Sequence, residues 1–356
     1  MQWVRHGIFW LFVLLLMTAC QEPPQPRHLQ IPAMGTLVDV VLYDVPPAQA
    51  EQARIRLGRL LFDFGHDWWA WGDGRLARLN QQLSQTGHAE LPDDMADLIA
   101  EARQLAQLSG GCFNPAVGPL VRLWGFHSAP RDPHAPPPDA HAIAALLPVP
   151  DMQAIHLDHH QISAPRGTWI DLGGYAKGRA VDLAVAELRR LGIHNAIVNA
   201  GGDLRAIGSA GNRPWRIGIR NPRGEGAIAS LTVEDNESVF TSGDYERTFI
   251  YHDQRYHHIL NPRTGYPAQG TESVTVVDTR AAWADAAATA LFVAGPEHWP
   301  QVATALGVKQ VLLIDHQGRF HMTAELAQRI RLETAQPPPV IIQALPTAAE
   351  QLKLCS

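Results

Sequence analysis

The middle of the chain reads Ile170-Asp171-Leu172-Gly173-Gly174-Tyr175-Ala176-Lys177-Gly178. The pattern predicts the end of a strand, a glycine pair and the first turn of a helix that carries Lys177. Backbone N–H groups of a glycine pair can approach a phosphate closely, and a helix N-terminus adds positive potential. Because the spacing is neither GxxxxGK nor GxGxxG, an anion site and a plain strand–helix turn with a solvated lysine both remain open.

Helices and short strands alternate irregularly on both sides of this stretch. Alternating apolar residues predict a strand over Thr36–Leu42, and paired short runs predict hairpins near 154–164 and 247–260. Predicted helices cover residues 47–64, 92–109, 176–191, 281–293 and 296–306. The order lacks the regular alternation of a doubly wound sheet. We therefore predict the α+β class: a single domain with mixed sheets and hairpins flanked by helices, followed by a tail that begins near residues 336–339.

An alanine-rich predicted helix carries a carboxylate and a hydroxyl on one face. Asp285 and Thr289 are four residues apart, so their side chains share that face. Hard oxygen ligands among small alanines leave room for an ion such as Mg²⁺. Two protein oxygens cannot complete an octahedron, so backbone carbonyls, waters or substrate phosphates would supply the rest. Taken alone, the pattern also fits an aspartate stabilised by the helix dipole.

A histidine pair precedes a turn rich in proline and glycine. His257 and His258 occupy successive strand positions, so only one of them can face a cleft. A histidine facing a cleft can act as a general base near neutral pH, and Arg263 in the following turn could clamp a phosphate. The alternative is a histidine pair at a strand edge, in a chain that contains 17 histidines.

Small and aromatic residues interleave over residues 111–120, which suits a flat ring ligand. For Trp124 and Phe126, which follow this segment, packing in the core is the favoured interpretation. The Gly-rich segment at 199–203 predicts a turn between two strands.

Composition excludes several classes of protein. The 356 residues are 46% hydrophobic and 18% charged, so the chain can bury a large core and is not disordered. The net charge is −6 and no run of lysine and arginine occurs, so we expect no nucleic-acid partner. Three cysteines cannot form a disulfide framework.

The N-terminus predicts export. Arg5 precedes an apolar run over residues 8–17, and Thr18-Ala19-Cys20 follows. This order resembles a bacterial lipoprotein signal, in which Cys20 becomes the lipidated first residue; an ordinary signal with a chance cysteine is the alternative. We predict a signal peptide at 1–19, a Pro-rich tether at 20–30, a catalytic domain at 31–325 and a C-terminal tail at 326–356.

Taken in order, these segments resemble the ApbE family of FAD:protein FMN transferases. The resemblance extends from about residue 31 to about residue 320. It rests on residues 33–36, 71–80, 113–120, 170–178, 199–203, 242–247, 258–265 and 285–289. It implies an enzyme that binds FAD and Mg²⁺, joins FMN through its phosphate to a threonine or serine hydroxyl of a flavoprotein, and releases AMP.

The resemblance also implies a role for individual residues. His258 would be the catalytic base, with His257 left as the other possibility. Gly174, through its carbonyl, would hold Mg²⁺ together with Asp285 and Thr289. The residues implied to bind FAD are Met34, Trp71, Cys112, Phe113, Asn114, Asp171, Lys177 and Ile259.

The implied setting is the periplasmic face of a bacterial membrane, with the chain anchored through Cys20. The expected partners are FAD and flavoprotein subunits of membrane redox complexes. Two other functions stay open at this point: an FAD pyrophosphatase that yields FMN and AMP, and a non-catalytic flavin-binding lipoprotein.

Overall fold

A nine-stranded sheet forms the centre of the fold in the computed structural model, which describes residues 26–128, 135–158, 160–334, 336 and 338–347. The strands are β1 Arg27–Ala33, β2 Thr36–Leu42, β3 His88–Glu90, β4 His156–Asp158, β5 Gln161–Ser163, β6 Ala196–Ala200, β7 Asp203–Ile207, β8 Trp215–Arg220, β9 Ala227–Val233, β10 Ser238–Gly243, β11 Thr248–Tyr251, β12 Gln254–His257, β13 Thr271–Asp278, β14 Gln310–Asp315, β15 Phe320–Thr323, β16 Ile330–Leu332 and β17 Val340–Gln343. The helices are α1 Pro47–Trp68, α2 Arg75–Thr86, α3 Asp93–Leu108, α4 Gly118–Leu123, α5 Ala140–Ala144, α6 Ala176–Arg190, α7 Ala281–Leu306 and α8 Ala324–Ala327, with 3₁₀ turns at Pro115–Val117 and Met152–Ala154.

The central sheet has the order β1-β2-β6-β7-β10-β13-β14-β15-β17. Its neighbouring strands are antiparallel except for β15 and β17, which run parallel. The orders β16-β9-β8 and β3-β5-β4 define two further sheets, and β11-β12 is a separate hairpin. Segregated helices and mainly antiparallel strands confirm the predicted α+β class.

Both faces of the central sheet are buried. Successive strand residues point to opposite faces, so Val276 lies in the main core and Val277 lies in a second core. Helices α1, α6 and α7 cover the face of the main core, and β8 and β9 cover the other. The site described below lies on the helix-covered face, where α6 and α7 meet.

The predicted elements and the observed elements largely agree. The strand at β2 has the predicted bounds, α6 begins at the predicted residue, and α1 extends past residue 64 to Trp68. The helices predicted at 281–293 and 296–306 are both present as the two parts of α7, and they are separated by a kink at Gly295, whose φ of 72° is left-handed. Helix α2 lies in a segment for which no helix is predicted.

The C-terminal segment differs from the expectation. The sequence predicts no regular structure from residues 336–339 onward, whereas β17 extends the central sheet at its edge. Its β-branched residues Val340, Ile341 and Ile342 favour a strand, but the run is short and follows three prolines.

The N-terminal predictions fall outside the described residues. The signal peptide at 1–19 and Cys20 precede residue 26, and the four predicted segment boundaries stay predictions. Within the described ranges, none of the helices combines the length and apolar character needed to span a bilayer.

Candidate active site

The glycine turn and the alanine-rich helix lie against each other. The backbone N–H of Gly178 donates a hydrogen bond of 2.9 Å to Oδ2 of Asp285, a residue 107 positions further along the chain. One turn earlier, a Cβ atom built on Gly174 would lie 2.9 Å from Oγ1 of Thr289. The structure therefore brings together all three residues of the implied metal site.

Gly178 permits this close approach because it has no side chain. A Cβ atom at this position would lie 2.3 Å from the carbonyl oxygen of Ala281 and 2.6 Å from the Cα of Ala282. Real Cβ atoms do not approach backbone atoms so closely. Glycine here lets the start of α6 pack directly on the start of α7, which places Asp285 beneath the turn.

Burial shapes the electrostatics of Asp285. The residue is 5% exposed. Burial disfavours its charged form and raises its pKa to about 7, although the nearby charge of Lys177 acts in the opposite direction. The carboxylate of Asp285 accepts one described hydrogen bond, so it retains lone pairs that could bind a cation. A bound cation would favour the ionised form of the carboxylate.

A further hydroxyl, which is not among the implied metal ligands, lies beside Thr289. The hydroxyl of Ser242, at the end of β10, lies 3.2 Å from the hydroxyl of Thr289. A carboxylate and two hydroxyls suit Mg²⁺, which prefers oxygen ligands and keeps several from water or phosphate. No group of three histidine, cysteine, aspartate or glutamate side chains that could hold a metal occurs among the described residues. These oxygens therefore fit a metal ion that a bound ligand also coordinates. Among the described residues, they do not complete the coordination shell of a metal on their own.

Lys177 is held by Asp203, which lies in the segment predicted as a turn between two strands. Its ammonium group forms an ion pair with Oδ2 of Asp203, and Oδ1 of Asp203 accepts a 2.8 Å hydrogen bond from the backbone N–H of Thr241. Burial alone would lower the pKa of Lys177, but the charges of Asp203 and Asp285 outweigh it and raise the pKa. Lys177 therefore stays charged. Its position beside Asp285 is set by Asp203, which is itself held by the backbone of Thr241 in β10.

Two residues implied to bind FAD meet in one contact. The indole N–H of Trp71 donates a 2.9 Å hydrogen bond to Oδ2 of Asp171, whose Oδ1 accepts a 2.7 Å bond from the backbone N–H of Gly173. The indole of Trp71 also stacks on Trp169, with ring centroids 5.2 Å apart. Arg122 lies over both rings, at 5.9 and 5.2 Å. Trp169 and Arg122 were not predicted as site residues.

The side chains of residues 112–114 serve the fold. Cys112 and Phe113 are buried, and Cys112 is disulfide-bonded. The side chain of Asn114 accepts a bond from the N–H of Ala116 and donates one to the carbonyl of Pro150. A ligand beside this turn would therefore meet its backbone, and the implied role of the turn in lining an FAD pocket stays a prediction.

The turn nevertheless lies next to the rest of the site. The backbone N–H of Asp171 donates a 2.8 Å hydrogen bond to the carbonyl of Pro115. Met34, on the turn between β1 and β2, has a positive φ of 52°, and its side chain would lie 3.2 Å from a Cβ atom on Gly65 in α1. Met34 is partly buried against the main core, and no described contact joins it to Trp71 or Asp171.

The two histidines have different surroundings. His257 is buried at the end of β12, where its Nε2 lies 2.9 Å from the carbonyl oxygen of Ala268 and its ring meets the edge of Phe292. Burial lowers the pKa of His257. This side chain is part of the packing between β12 and α7.

His258 lies on the other side, towards Lys177. Its ring is partly buried, and Nδ1 has no hydrogen-bond partner in the described part of the chain. Burial lowers its pKa well below the ordinary value, and the positive charges of Arg247 and Lys177 act in the same direction. Nδ1 of His257 is also buried and without a partner in the described part of the chain, so the position of His258 towards Lys177 is what distinguishes the two rings. A neutral imidazole can accept a proton. The side chain of Ile259, implied to contact FAD, lies in the main core.

A separate cleft opens on the His257 side. It has a volume of about 490 Å³, and Arg223 crosses it to pair with Asp244 and Glu272. None of the residues implied to bind FAD or metal lines this cleft. The chemistry described above therefore belongs to the opposite side of β12.

Known proteins share this arrangement of segments. A sequence model described as the ApbE family matches residues 34–312. The chain belongs to the ApbE family. This membership confirms the family predicted from the sequence, and the match includes the turn, both histidines and the metal-site residues.

Individual members of the ApbE family resemble the chain over most of its length. An FAD:protein FMN transferase of Rhodobacter capsulatus is 40% identical over 314 residues, which are 88% of this chain and 60% of that relative. An FAD:protein FMN transferase of Vibrio cholerae is 31% identical over 323 residues, 89% of this chain and 96% of that relative. Both relatives are transferases, which confirms the predicted enzyme class.

Solved structures of ApbE proteins have the same fold. The ApbE protein of Thermotoga maritima superimposes with a TM-score of 0.79 at 31% identity, covering 86% of this chain and all of that protein. The flavin transferase ApbE of Vibrio cholerae gives a TM-score of 0.76 at 28% identity, with the same coverage. These similarities confirm the fold class.

Proposed function

We propose that the chain transfers FMN from FAD to a threonine or serine hydroxyl of a flavoprotein and releases AMP. The names of its curated relatives support the transfer of FMN to protein. The observation that carries the proposal is the contact between the turn at Gly174 and Gly178 and the helix at Asp285 and Thr289. An oxygen-lined corner beside a lysine suits a diphosphate and its cation.

The carboxylate of Asp285, the hydroxyl of Thr289 and the carbonyl of Gly174 would hold Mg²⁺. The ion would neutralise diphosphate charge and stabilise the charge on departing AMP. Lys177, held by Asp203, places a further positive charge at the same corner. This positioning favours in-line attack on the phosphorus.

His258 would act as the general base. It would take the proton of the acceptor hydroxyl while the new oxygen–phosphorus bond forms and the bond from the same phosphorus to the AMP oxygen breaks. The position of His258 towards Lys177 supports this role, and its lowered pKa keeps the imidazole unprotonated at neutral pH. The chain needs no nucleophile of its own, since the acceptor protein supplies the hydroxyl.

Incubation with FAD, Mg²⁺ and a candidate acceptor subunit tests the proposal. We expect flavin fluorescence on the acceptor band after denaturing electrophoresis, and AMP release that depends on the acceptor. Equal AMP release without acceptor would favour the pyrophosphatase function. Neither AMP nor labelled acceptor would favour a flavin-binding lipoprotein.

We further propose that the chain is anchored through Cys20 at the periplasmic face of a bacterial membrane and modifies subunits of membrane redox complexes. The basic, apolar and small residues before Cys20 support this location. Mass spectrometry of the mature N-terminal peptide tests it. A lipidated Cys20 is expected, and an unmodified cysteine inside a longer peptide would contradict it.

A further inference from the structure

Helix α1 and the residue that follows it expose three large apolar side chains. Ile55, Phe62 and Trp69 are 58%, 69% and 54% exposed. Ile55 and Phe62 lie seven residues apart on α1, a spacing that drifts by only about 20° around the helix. Trp69 comes directly after Trp68, the last helical residue, and its backbone is extended. We call these three residues the outer stripe.

Ile55 and Phe62 lie on the side of α1 that faces away from its buried face. That buried face consists of Ala50, Ala53, Leu57, Leu61 and Phe64. At 100° per residue, Ile55 lies about 160° from both Ala53 and Leu57 around the helix. Single exposed apolar residues are common, but large apolar side chains that recur along the outer side of an amphipathic helix indicate a binding surface.

The beginning of α1 lies close to the start of the described chain. The guanidinium of Arg27, at the start of β1, donates a 2.6 Å hydrogen bond to the carbonyl of Val45, two residues before α1 begins. Only six residue steps separate Cys20 from Pro26, a span of at most about 20 Å. A lipid anchor at Cys20 would therefore hold the beginning of α1 near the bilayer surface.

The side chains around the outer stripe suit the headgroup layer. Arg59, 86% exposed, lies between Ile55 and Phe62 on the same face, and its pair with Asp63 at 3.6 Å is also exposed. Arginine stems can cover apolar surface while the guanidinium reaches phosphate, and tryptophan rings favour the membrane interface. These residues combine as in helices that lie in the plane of a membrane.

We propose that the outer stripe of α1 rests on the lipid surface to which Cys20 tethers the chain. The proposal rests on the proposed anchor, because three apolar side chains alone bind a bilayer weakly. Tethering raises the local lipid concentration, so that this weak contact is populated. The contact would orient the body of the enzyme relative to membrane-bound acceptors.

Photo-crosslinking in bacteria tests this surface in the full chain. p-Benzoylphenylalanine replaces Phe62 in one variant and, as a matched control, Ile250 in another, because Ile250 is 61% exposed on the separate hairpin β11-β12. Membranes are isolated after irradiation, and lipid adducts on each probe peptide are measured by mass spectrometry. We expect at least about five-fold more lipid adduct at position 62 than at position 250.

Other outcomes would separate the two proposals. A chain recovered outside the membrane fraction overturns both the anchor and the outer stripe. A membrane-bound chain with equal adducts at both positions overturns the stripe alone. Crosslinks from position 62 to protein, without lipid adduct, also overturn it and would identify α1 as a protein-binding face.

Discussion

The carboxylate of Asp285 accepts a hydrogen bond from the backbone N–H of Gly178 at 2.9 Å, and this contact joins the two halves of the site. The residue is buried beside Lys177, so its carboxylate is placed for a cation that also meets a phosphate. The same contact makes the metal hypothesis testable with a substitution that keeps the shape of the side chain.

Asp285→Asn should abolish Mg²⁺-dependent transfer while leaving the chain folded. The amide oxygen can still accept the bond from Gly178, but its charge for the cation is lost. Loss of several kcal/mol of charge stabilisation corresponds to a rate lower by a factor of about 100 or more. Transfer rates over a Mg²⁺ titration measure this effect. Asp63→Asn, on the exposed face of α1, is the control. Full activity of Asp285→Asn would remove Asp285 from the metal site.

Gly178→Ala should destabilise the fold, because the new methyl group would lie 2.3 Å from the carbonyl oxygen of Ala281. Separating α6 from α7 should cost about 1–3 kcal/mol of unfolding free energy, as overpacking does elsewhere. Gly58→Ala is the matched variant, since no atom lies within 4 Å of its Cβ position in α1. That variant should gain about 0.5–1 kcal/mol. Urea unfolding of both proteins gives the comparison, and equal midpoints would contradict the close-packing argument.

The sequence alone places Asp285 and Thr289 of the proposed metal site on one helix face, whereas it does not identify most of their neighbours. Asp285 and Thr289 share a face because they are four residues apart, which any helix guarantees. Their contact with Gly174 and Gly178 depends on how α6 packs on α7, and only the family resemblance implied it. The pairing of Lys177 with Asp203 depends on the register of β7 beside β10, which local patterns do not contain.

Trp169 and the strand β17 show the same limit. The sequence alone does not place Trp169 against Trp71, since their stacking at 5.2 Å follows from the path of the loop before the glycine turn. Strand β17 takes its place at the sheet edge by pairing with β15, and the three prolines before it give a local signal for a loop. The stacking of Trp169 and the pairing of β17 both depend on contacts between residues far apart in the sequence.

Asp203→Asn should raise KM for FAD and should have only a small effect on the stability of the fold. The amide keeps an oxygen for the N–H of Thr241, but the charge that holds Lys177 and raises its pKa is lost. We expect KM for FAD to rise by about ten-fold, the scale of one charge-assisted contact. Glu237→Gln, which breaks the pair with Arg329 outside the site, should lower the unfolding midpoint with KM unchanged. An unchanged KM in Asp203→Asn would show that Lys177 needs no such partner.

Acidification should destabilise the chain through His258. Its folded pKa is lowered, so below its ordinary value of about 6.5 the unfolded state binds the proton more readily. The contribution of His258 to the free energy of unfolding is therefore fully present above a pH of about 6.5 and is lost as the pH falls below it. In His258→Asn, the fall in melting temperature between pH 7 and pH 5 should be smaller than in the parent chain. An identical fall in both proteins would show that the imidazole is not held neutral.

Separate substitution of the two histidines distinguishes the base from the packing residue. His258→Asn should lower the transfer rate by about 10²–10⁴-fold, the usual contribution of a general base, with KM for FAD little changed. His257→Asn should lower the unfolding midpoint, because His257 packs between Ala268 and Phe292, and should retain activity per folded molecule. Since His257 lines the cleft that contains none of the implied FAD ligands, a larger loss of rate in His257→Asn than in His258→Asn would move the chemistry to that side of β12.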